Sequence, residues 1–298
     1  MKRWGFTFVI CIFVFLMTIM SYAAEDVAMV MDILHGKAFY QAGNKKGKEV
    51  VLVDFLAEGD KIKLESKTTL ILNYFASGTK EELTGPGTVT VGKDFSQTEG
   101  KVGVKRDKPD YVPSKLQVSK ADLQQFGASQ VRRYEMKDGE VMLLSLKDSN
   151  TRSTQPVFRW QPVEKAETYW LVVSDVHNTR YLNVETKETT LTYPKSGLIQ
   201  GKDYEWIVLA IAKGRIIATG EGGFSILTEA SLKELGQDEQ AIKQLYPEKT
   251  AGRLISLAIL YQNYRLFDDA VAILRELRQQ YPENENIKNW LEPPKETK

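Results

Sequence analysis

Apolar and polar residues alternate along the chain from about residue 25 to residue 93. Ile62 and Leu64 alternate with lysines in the run KIKL, and the run TLILNYF continues the same period of two. Successive side chains of a β-strand point to opposite faces, so this period predicts half-buried strands. Glycines divide the region into short runs, as expected for turns between strands. We therefore predict a β domain over 25–93.

A second region of alternation covers 156–227. The run DYEWIVLAIA places Tyr204, Trp206 and Val208 on alternate positions, and a Lys213-Gly214 turn separates it from the next apolar run. These features predict a second β domain. Between the two, 94–155 is polar and is predicted to be a linker. It contains one strand, GEVMLLSL, and one short helix that begins at Ser119 and ends at Gly127.

The pattern changes to a helical period after residue 227. Thr228 is a good N-cap, and Gly236 is predicted to end the first short helix. Further helices follow, in which apolar residues recur three and four positions apart, as on one helical face. The first such set is Leu254, Leu257, Ala258 and Tyr261, and the second is Phe267, Ala270, Leu274 and Leu277. The region 228–292 is therefore predicted to be all-α.

The segment from Phe55 to Val91 resembles the FecR-like domain of bacterial envelope proteins. The resemblance rests on Gly59-Asp60, on the aromatic strand end at Phe75, on Gly78, and on Gly85-Pro86. It implies a small all-β roll. The family takes its name from regulators of iron uptake, but the module occurs in many architectures, so the fold does not transfer a function.

The region 156–227 resembles a fibronectin type III sandwich. Trp160 corresponds to the buried tryptophan of an early strand. Leu198 and Tyr204 have the spacing of a tyrosine corner, in which the tyrosine hydroxyl bonds to nearby backbone. This resemblance implies a second binding module rather than an enzyme.

The helical region resembles a tetratricopeptide repeat, with small residues Ala258 and Ala270 where the two helices touch. It departs from that pattern at Arg265, where the repeat has glycine, and at Leu277, where it has a small residue. The predicted fold class is therefore multidomain and mainly β, a FecR-like roll plus a β-sandwich, with an all-α helical-repeat C-terminal tail.

The first residues resemble a secretory leader, predicted over 1–23. Lys2 and Arg3 precede an apolar run, and Ser21-Tyr22-Ala23 places small residues where signal peptidase cleaves. Cleavage after Ala23 or Ala24 would export the protein, most simply to the periplasm, and would leave no membrane span. The alternative is an uncleaved helix that anchors the chain in the inner membrane, because the run approaches the length of a spanning helix.

The composition narrows the possible chemistry. Lysine and arginine total 40 and aspartate and glutamate total 39, a balance that excludes a general nucleic-acid binder. Cys11 is the only cysteine and lies in the leader, while His35 and His177 are far apart in sequence. The motifs GPG and GEGG lack the lysine of a phosphate loop and are typical of turns. We predict no catalytic residues, no metal site and no cofactor.

Two binding hypotheses remain. In the first, the protein is a scaffold or adaptor for an envelope protein, and the groove side of the repeat helix binds it through Ile255, Ile259, Gln262 and Asn263. The alternative for this face is that it docks on the sandwich or on the upstream helix, because a lone repeat needs support.

In the second hypothesis the protein binds cell-wall polysaccharide through aromatic side chains of the β domains. The candidates are Trp160, Tyr169, Trp170 and Trp206. Sandwich cores use the same residue types, so a core role is the alternative. A regulatory or sensory role of the FecR type is a third hypothesis.

Overall fold

The computed structural model describes residues 25–109, 139–194 and 196–291. The predicted leader and the predicted helix from Ser119 to Gly127 lie outside these ranges. The strands are β1 Asp26–Leu34, β2 Ala38–Tyr40, β3 Phe55–Ala57, β4 Lys61–Leu64, β5 Thr69–Tyr74, β6 Lys80–Thr84, β7 Gly87–Thr90, β8 Gln97–Gly100, β9 Gly103–Asp107, β10 Ser149–Thr151, β11 Val157–Arg159, β12 Thr168–Asp175, β13 Arg180–Thr186, β14 Thr190–Thr192, β15 Asp203–Ala212 and β16 Arg215–Ile226. The α-helices are α1 Glu229–Leu245, α2 Ala251–Asn263, α3 Phe267–Gln280 and α4 Glu285–Leu291. None of the helices described is long and apolar enough to cross a bilayer.

The first β unit is formed by two sheets that enclose a core. One sheet has the order β3-β1-β5-β6-β9 and the other the order β2-β4-β7-β8. Leu70, Leu72 and Tyr74 on β5 point into this core and are fully buried, as the period of two predicts. Strands β8 and β9 fall within the predicted linker 94–155 but pair with β7 and β6. The β unit therefore extends to Asp107.

The second β unit is built around the sheet β10-β16-β15-β12-β13, with β11 and β14 paired separately. Its core is aromatic: the rings of Phe158 and Trp206 lie 5.1 Å apart, and those of Trp160 and Tyr169 lie 5.5 Å apart. The backbone N–H of Ile199 donates to the Tyr204 hydroxyl at 2.9 Å, which is the bond expected of a tyrosine corner.

Part of the predicted linker completes this core. Val141, Leu143 and Leu146 are buried in it, and the carbonyl of Leu146 accepts from the Trp206 indole at 2.9 Å. The GEGG run lies inside β16 rather than in a turn. A Cβ at Gly222 would come within 2.8 Å of Leu143 and 2.9 Å of the Trp206 indole nitrogen. Glycine is needed there because another segment packs directly on the strand.

The four helices pack on the outer face of the first sheet. The N-cap Thr228 accepts from the backbone N–H of Ser231, and the N-cap Thr250 accepts from that of Arg253. Helix α1 continues through Gly236, where we predict a break. The apolar core of the helices also includes residues of the first β unit, namely Met29, Met31, Leu52, Val53, Phe55 and Ile71.

The prediction of a separate helical-repeat tail is wrong, although the chain is mainly β as predicted. Only four helices are present in the described C-terminal region, and they do not form a stack of repeats. The physical reason is that so few helices cannot bury their own apolar faces. The first sheet buries the remaining apolar face, through contact between α2 and β1.

Polar contacts fix how the helices sit on this sheet. The backbone N–H of Ala251, in the first turn of α2, donates to the buried carboxyl of Asp32 on β1. The side-chain amides of Asn284 and Asn286 donate to the carbonyl of Leu52 at 3.2 and 3.0 Å. These bonds satisfy polar groups that the packing would otherwise bury unpaired.

The helices also contact the second β unit. The carboxylate of Asp268 accepts from the backbone N–H of Leu146 at 3.0 Å. Arg152 lies 3.0 Å from Glu239 and 3.7 Å from Asp269, and its guanidinium lies over the Tyr261 ring. The acidic pair at the start of α3 therefore forms a contact between units.

Arg265 also belongs to this contact. Its φ of 57° is the left-handed conformation that glycine adopts at the corresponding position of the repeat pattern. Its carbonyl accepts from the backbone N–H of Asn150 at 2.7 Å, and its guanidinium donates to the carbonyl of Asp148 at 3.2 Å. The helices thus join both β units.

Replacing Ile255 by alanine tests the shared core. Ile255 is fully buried, and truncating such a side chain costs about 2–5 kcal/mol in free energy of unfolding. Because the core includes β1, we expect the helices and the first sheet to lose stability together in urea denaturation followed by circular dichroism. The matched control is Ile199→Ala, at a side chain that is 52% exposed. Equal stability of the two variants would contradict the shared core.

The Asp32 carboxyl makes stability depend on pH. Burial raises the pKa of this carboxyl, and bonds from the N–H groups of Ile33 and Ala251 oppose part of the rise. A raised pKa contributes stability at low pH that is lost as pH rises through the folded-state value. Asp32→Asn removes this titration, so the melting temperature of the variant minus that of the unmodified protein should rise as the pH increases above about 4. A difference that is constant or falls with pH would contradict this assignment.

Candidate interaction surface

The residues predicted to bind a partner on the helical region do not form an open groove. Ile255 is fully buried and Ile259 is 3% exposed, and both belong to the core that α2 shares with β1. Gln262 and Asn263 are half-buried and already make contacts within the protein. The face is therefore docked within the protein, but in a core shared with the first sheet and the other helices, and not on the sandwich as the alternative allowed.

The aromatic residues considered for polysaccharide binding are divided between core and surface. Trp160, Tyr169 and Trp206 are buried in the second β unit. Trp170 is 42% exposed, and its indole N–H donates to Asn183 on the neighbouring strand. These four candidates therefore leave a single aromatic side chain on the surface, not a row.

Histidine and acidic side chains of the described ranges do not assemble into a reactive site. Within the described ranges, no group of three or more histidine, cysteine, aspartate or glutamate side chains is placed to hold a metal. His35 and His177 are both exposed, in separate β units.

The buried carboxylate of Glu81 also has a structural role. It accepts from Arg106 at 2.6 Å and from the backbone N–H of Ser96 at 2.9 Å. The Ser96 hydroxyl is bonded in turn to the Tyr74 hydroxyl. This closed network ties the segment before β8 to the first sheet.

A groove between the first sheet and the C-terminal end of α1 is occupied by its own charges. Its volume is about 670 Å³. The Lys80 ammonium lies 2.7 Å from Glu82 and 3.5 Å from Asp107, and it donates to the carbonyl of Leu245 at 3.2 Å. With its charge and hydrogen bonds met inside the protein, this lysine does not point to a ligand.

An apolar surface lies on the outer side of the large sheet in the second β unit. We call it the outer apolar face and define it as Trp170, Val172, Ile207, Leu209, Ile211 and Ile216. Trp170 lies opposite Leu209, Val172 opposite Ile207, and Ile211 opposite Ile216. None of these residues belongs to a described core, and Ile216 is 59% exposed.

The sequence produces this face because β12 and β15 are apolar on both sides. Their inward residues, such as Leu171, Val173 and Val208, form the sandwich core. An antiparallel sheet with one face in water normally carries polar residues on that face. Contiguous exposed apolar residues on a protein surface mark interaction sites.

Charged residues lie at both ends of the outer apolar face. At one end Glu205 lies opposite Ser174, which also pairs with Arg180, and Glu221 lies opposite Ile207. At the other end the turn between β15 and β16 carries Lys213 and Arg215. There the Glu167 carboxylate accepts from the backbone N–H of Lys213 at 3.1 Å, so both ends of the face carry charges of both signs.

A cleft of about 1160 Å³ opens beside the turn between β15 and β16. Its lining is mixed, with the apolar side chains of Met142, Val163 and Ile217 beside basic and acidic residues that include Lys213 and Glu167.

Sequence reasoning missed this surface. It assigned the alternate residues Tyr204, Trp206 and Val208 to a strand and treated the intervening Ile207 and Leu209 as part of the same run. The continuous apolar run WIVLAIA was the available signal, since an ordinary one-sided strand alternates with polar residues.

Comparisons with known proteins do not place the chain in a family. No family model matches the sequence, and no curated protein matches it. Among solved structures, a β-1,2-glucanase from Parabacteroides distasonis aligns with 86% of this chain at 9% sequence identity and a TM-score of 0.23. The alignment spans about half, 48%, of the glucanase chain. A TM-score this low establishes neither a shared fold nor a shared activity.

Proposed function

We propose that this protein is an exported, non-catalytic scaffold of the bacterial envelope that binds a protein partner on its outer apolar face. The observation that carries the proposal is the contiguous block of exposed and half-buried apolar side chains that β12, β15 and β16 place outside the described cores. Burying one aliphatic side chain of this size contributes about 1.5–3 kcal/mol. Several such residues on one sheet face suit a protein surface.

A protein partner fits this face better than a polysaccharide. Sugar rings stack on aromatic planes, and Trp170 is the only aromatic side chain of the outer apolar face. The other members are branched aliphatic residues, which offer apolar area without a stacking plane or hydrogen bonds. Apolar area of this kind is typical of the centre of protein interfaces.

The scaffold character of the proposal rests on how the helices join the β units. Contacts through Asp268, Arg152 and Arg265 hold the second β unit to the helices, which are packed on the first sheet. The outer apolar face would then be presented from a fixed support. The resemblances to FecR-like and fibronectin type III modules agree with a binding role, and a sensory role for the FecR-like unit is the alternative.

Capture from native envelope extract tests the binding proposal. The double variant Ile207→Glu and Leu209→Glu places two charges at the centre of the face, so proteins that bind there should no longer co-purify. Both side chains lie outside the described cores, so the melting temperature should change little. Quantitative mass spectrometry of the captured proteins, with thermal melting of the same samples, gives the result.

The matched control is Ile199→Glu, which adds a charge at an exposed isoleucine outside the face. It should retain the captured proteins. A set of captured proteins that is identical for the double variant, the control and the unmodified protein would contradict binding at this face.

The export proposal makes a separate prediction about the first residues. If the leader is removed, protein recovered from its native host should begin at Ala24 or Glu25. N-terminal sequencing and intact mass measure this directly. A protein that still begins at Met1 in the inner-membrane fraction would support the anchor instead.

A further inference from the structure

We propose that the contacts of residues 146–152 with the helices form a polar latch that opens, so that the second β unit turns away from the helices as one body. This inference goes beyond the proposed function, which uses the closed latch as a fixed support for the outer apolar face. Three observations carry it. The two sides of the latch have separate apolar cores, the contact between them is polar, and it leaves buried polar atoms without partners.

The apolar cores divide at the latch. Among the described residues, none of the core clusters combines side chains of the second β strand unit with those of the helices. Ile226, at the end of β16, belongs to the core of the second β unit, and the next residue, Leu227, belongs to the core of the helices. Units that share no apolar core are expected to move relative to one another. We therefore place the pivot between these two residues.

Hydrogen bonds from β10, the edge strand of its sheet, close the latch. The backbone N–H of Asn150 donates to the carbonyl of Arg265 at 2.7 Å, and its side-chain amide donates to the carbonyl of Tyr264 at 2.7 Å. The backbone N–H of Leu146 donates to the carboxylate of Asp268 at 3.0 Å. Because the donors belong to the second β unit and the acceptors to the helical region, opening of the latch breaks each of these bonds.

Arg152 supplies the positive charge of the latch. Its guanidinium lies 3.0 Å from Glu239 on α1 and 3.7 Å from Asp269 on α3, and it lies over the Tyr261 ring on α2. One side chain of the second β unit therefore touches three helices. It is 36% exposed, and an ion pair that water reaches contributes little net free energy. These charges orient the two sides without locking them together.

The closed latch leaves polar groups unsatisfied. The Nε of Arg152 and the hydroxyl of Ser149 are buried without a hydrogen-bond partner in the described part of the protein. Burial of such groups is unfavourable, and water can bond to them once the latch opens. Ser149 also borders a recess of about 220 Å³, which Arg265 lines on the helical side and Val176 lines on the side of the second β unit. The closed contact is therefore incomplete.

Amide hydrogen exchange of the chain recovered from its host, followed residue by residue by NMR, tests the latch. The N–H groups of Leu146 and Asn150 have acceptors on the helical side, whereas that of Leu144 donates to Arg159 within the second β unit at 2.8 Å. The first two should therefore have lower protection factors than the third. The Trp206 indole N–H should stay protected, because its acceptor, the carbonyl of Leu146, turns with it.

Arg152→Met removes the charge of the latch and keeps a long side chain. It should lower the protection factors of the Leu146 and Asn150 amides at least about fivefold, and it should leave those of Leu144 and the Trp206 indole unchanged.

The matched control is Arg159→Met, at an exposed arginine of β11, which should leave all four groups unchanged. If Arg152→Met does not fold, Glu239→Gln gives the answer instead. This variant removes one charge of the latch and keeps an acceptor for the Tyr261 hydroxyl, and it should produce the same selective change.

Three results would overturn the inference. The first is equal protection of all four groups in the unmodified protein, because the latch would then open only when the second β unit unfolds. The second is a variant of the latch that changes all four groups alike or changes none. The third is loss of protection at the Trp206 indole together with Leu146, which would show fraying of the segment instead of movement of the unit.

Discussion

The packing of helix α2 on strand β1 is the contact on which the arrangement of the described chain depends. Ile255 lies on the helical side of the shared core, and Met29 and Met31 lie on the sheet side. Neither the apolar face of the helices nor that of the sheet is buried by other residues of its own layer alone. Burial of apolar surface is the main favourable contribution to folding, so each element is stable because the other is present. The hydrogen bond between Ala251 and Asp32 joins the same helix and strand. It forms because the apolar packing brings its two partners together.

The same packing decides what the rest of the helical region can do. Because the sheet covers α2, the isoleucines predicted to bind a partner contribute to folding instead. The other side of the helical layer is then used by the second β unit, through Arg152, Asp268 and Arg265. A region that resembles a binding repeat in sequence thus acts as the structural joint between two β units, and the exposed apolar surface lies elsewhere.

The sequence predicted those features that have a local cause. The period of two on β5 predicted which residues face the core, and the spacing of Leu198 and Tyr204 predicted the bond to backbone near Tyr204. It did not predict β8 and β9, because QTEG and GVKRD carry no apolar alternation and form strands through pairing with β7 and β6. Helical periodicity shows that Ile255 needs a cover but does not show which element supplies it. The outer apolar face was missed for a related reason, since a strand that is apolar on both sides does not say which side stays exposed.

Both β units contain strands that are apolar on both sides, but the side that faces away from the β core is treated differently in each unit. On the first sheet, Met29 and Ile71 point away from the β core, and the helices cover them. On the second sheet, Val172, Ile207 and Leu209 also point away from their core, and no described core includes them. Exposure of such an apolar surface to water is equally unfavourable in both units. The chain's own helices bury the first surface, whereas none of the described cores includes the second, which is the surface that the proposed function assigns to a partner.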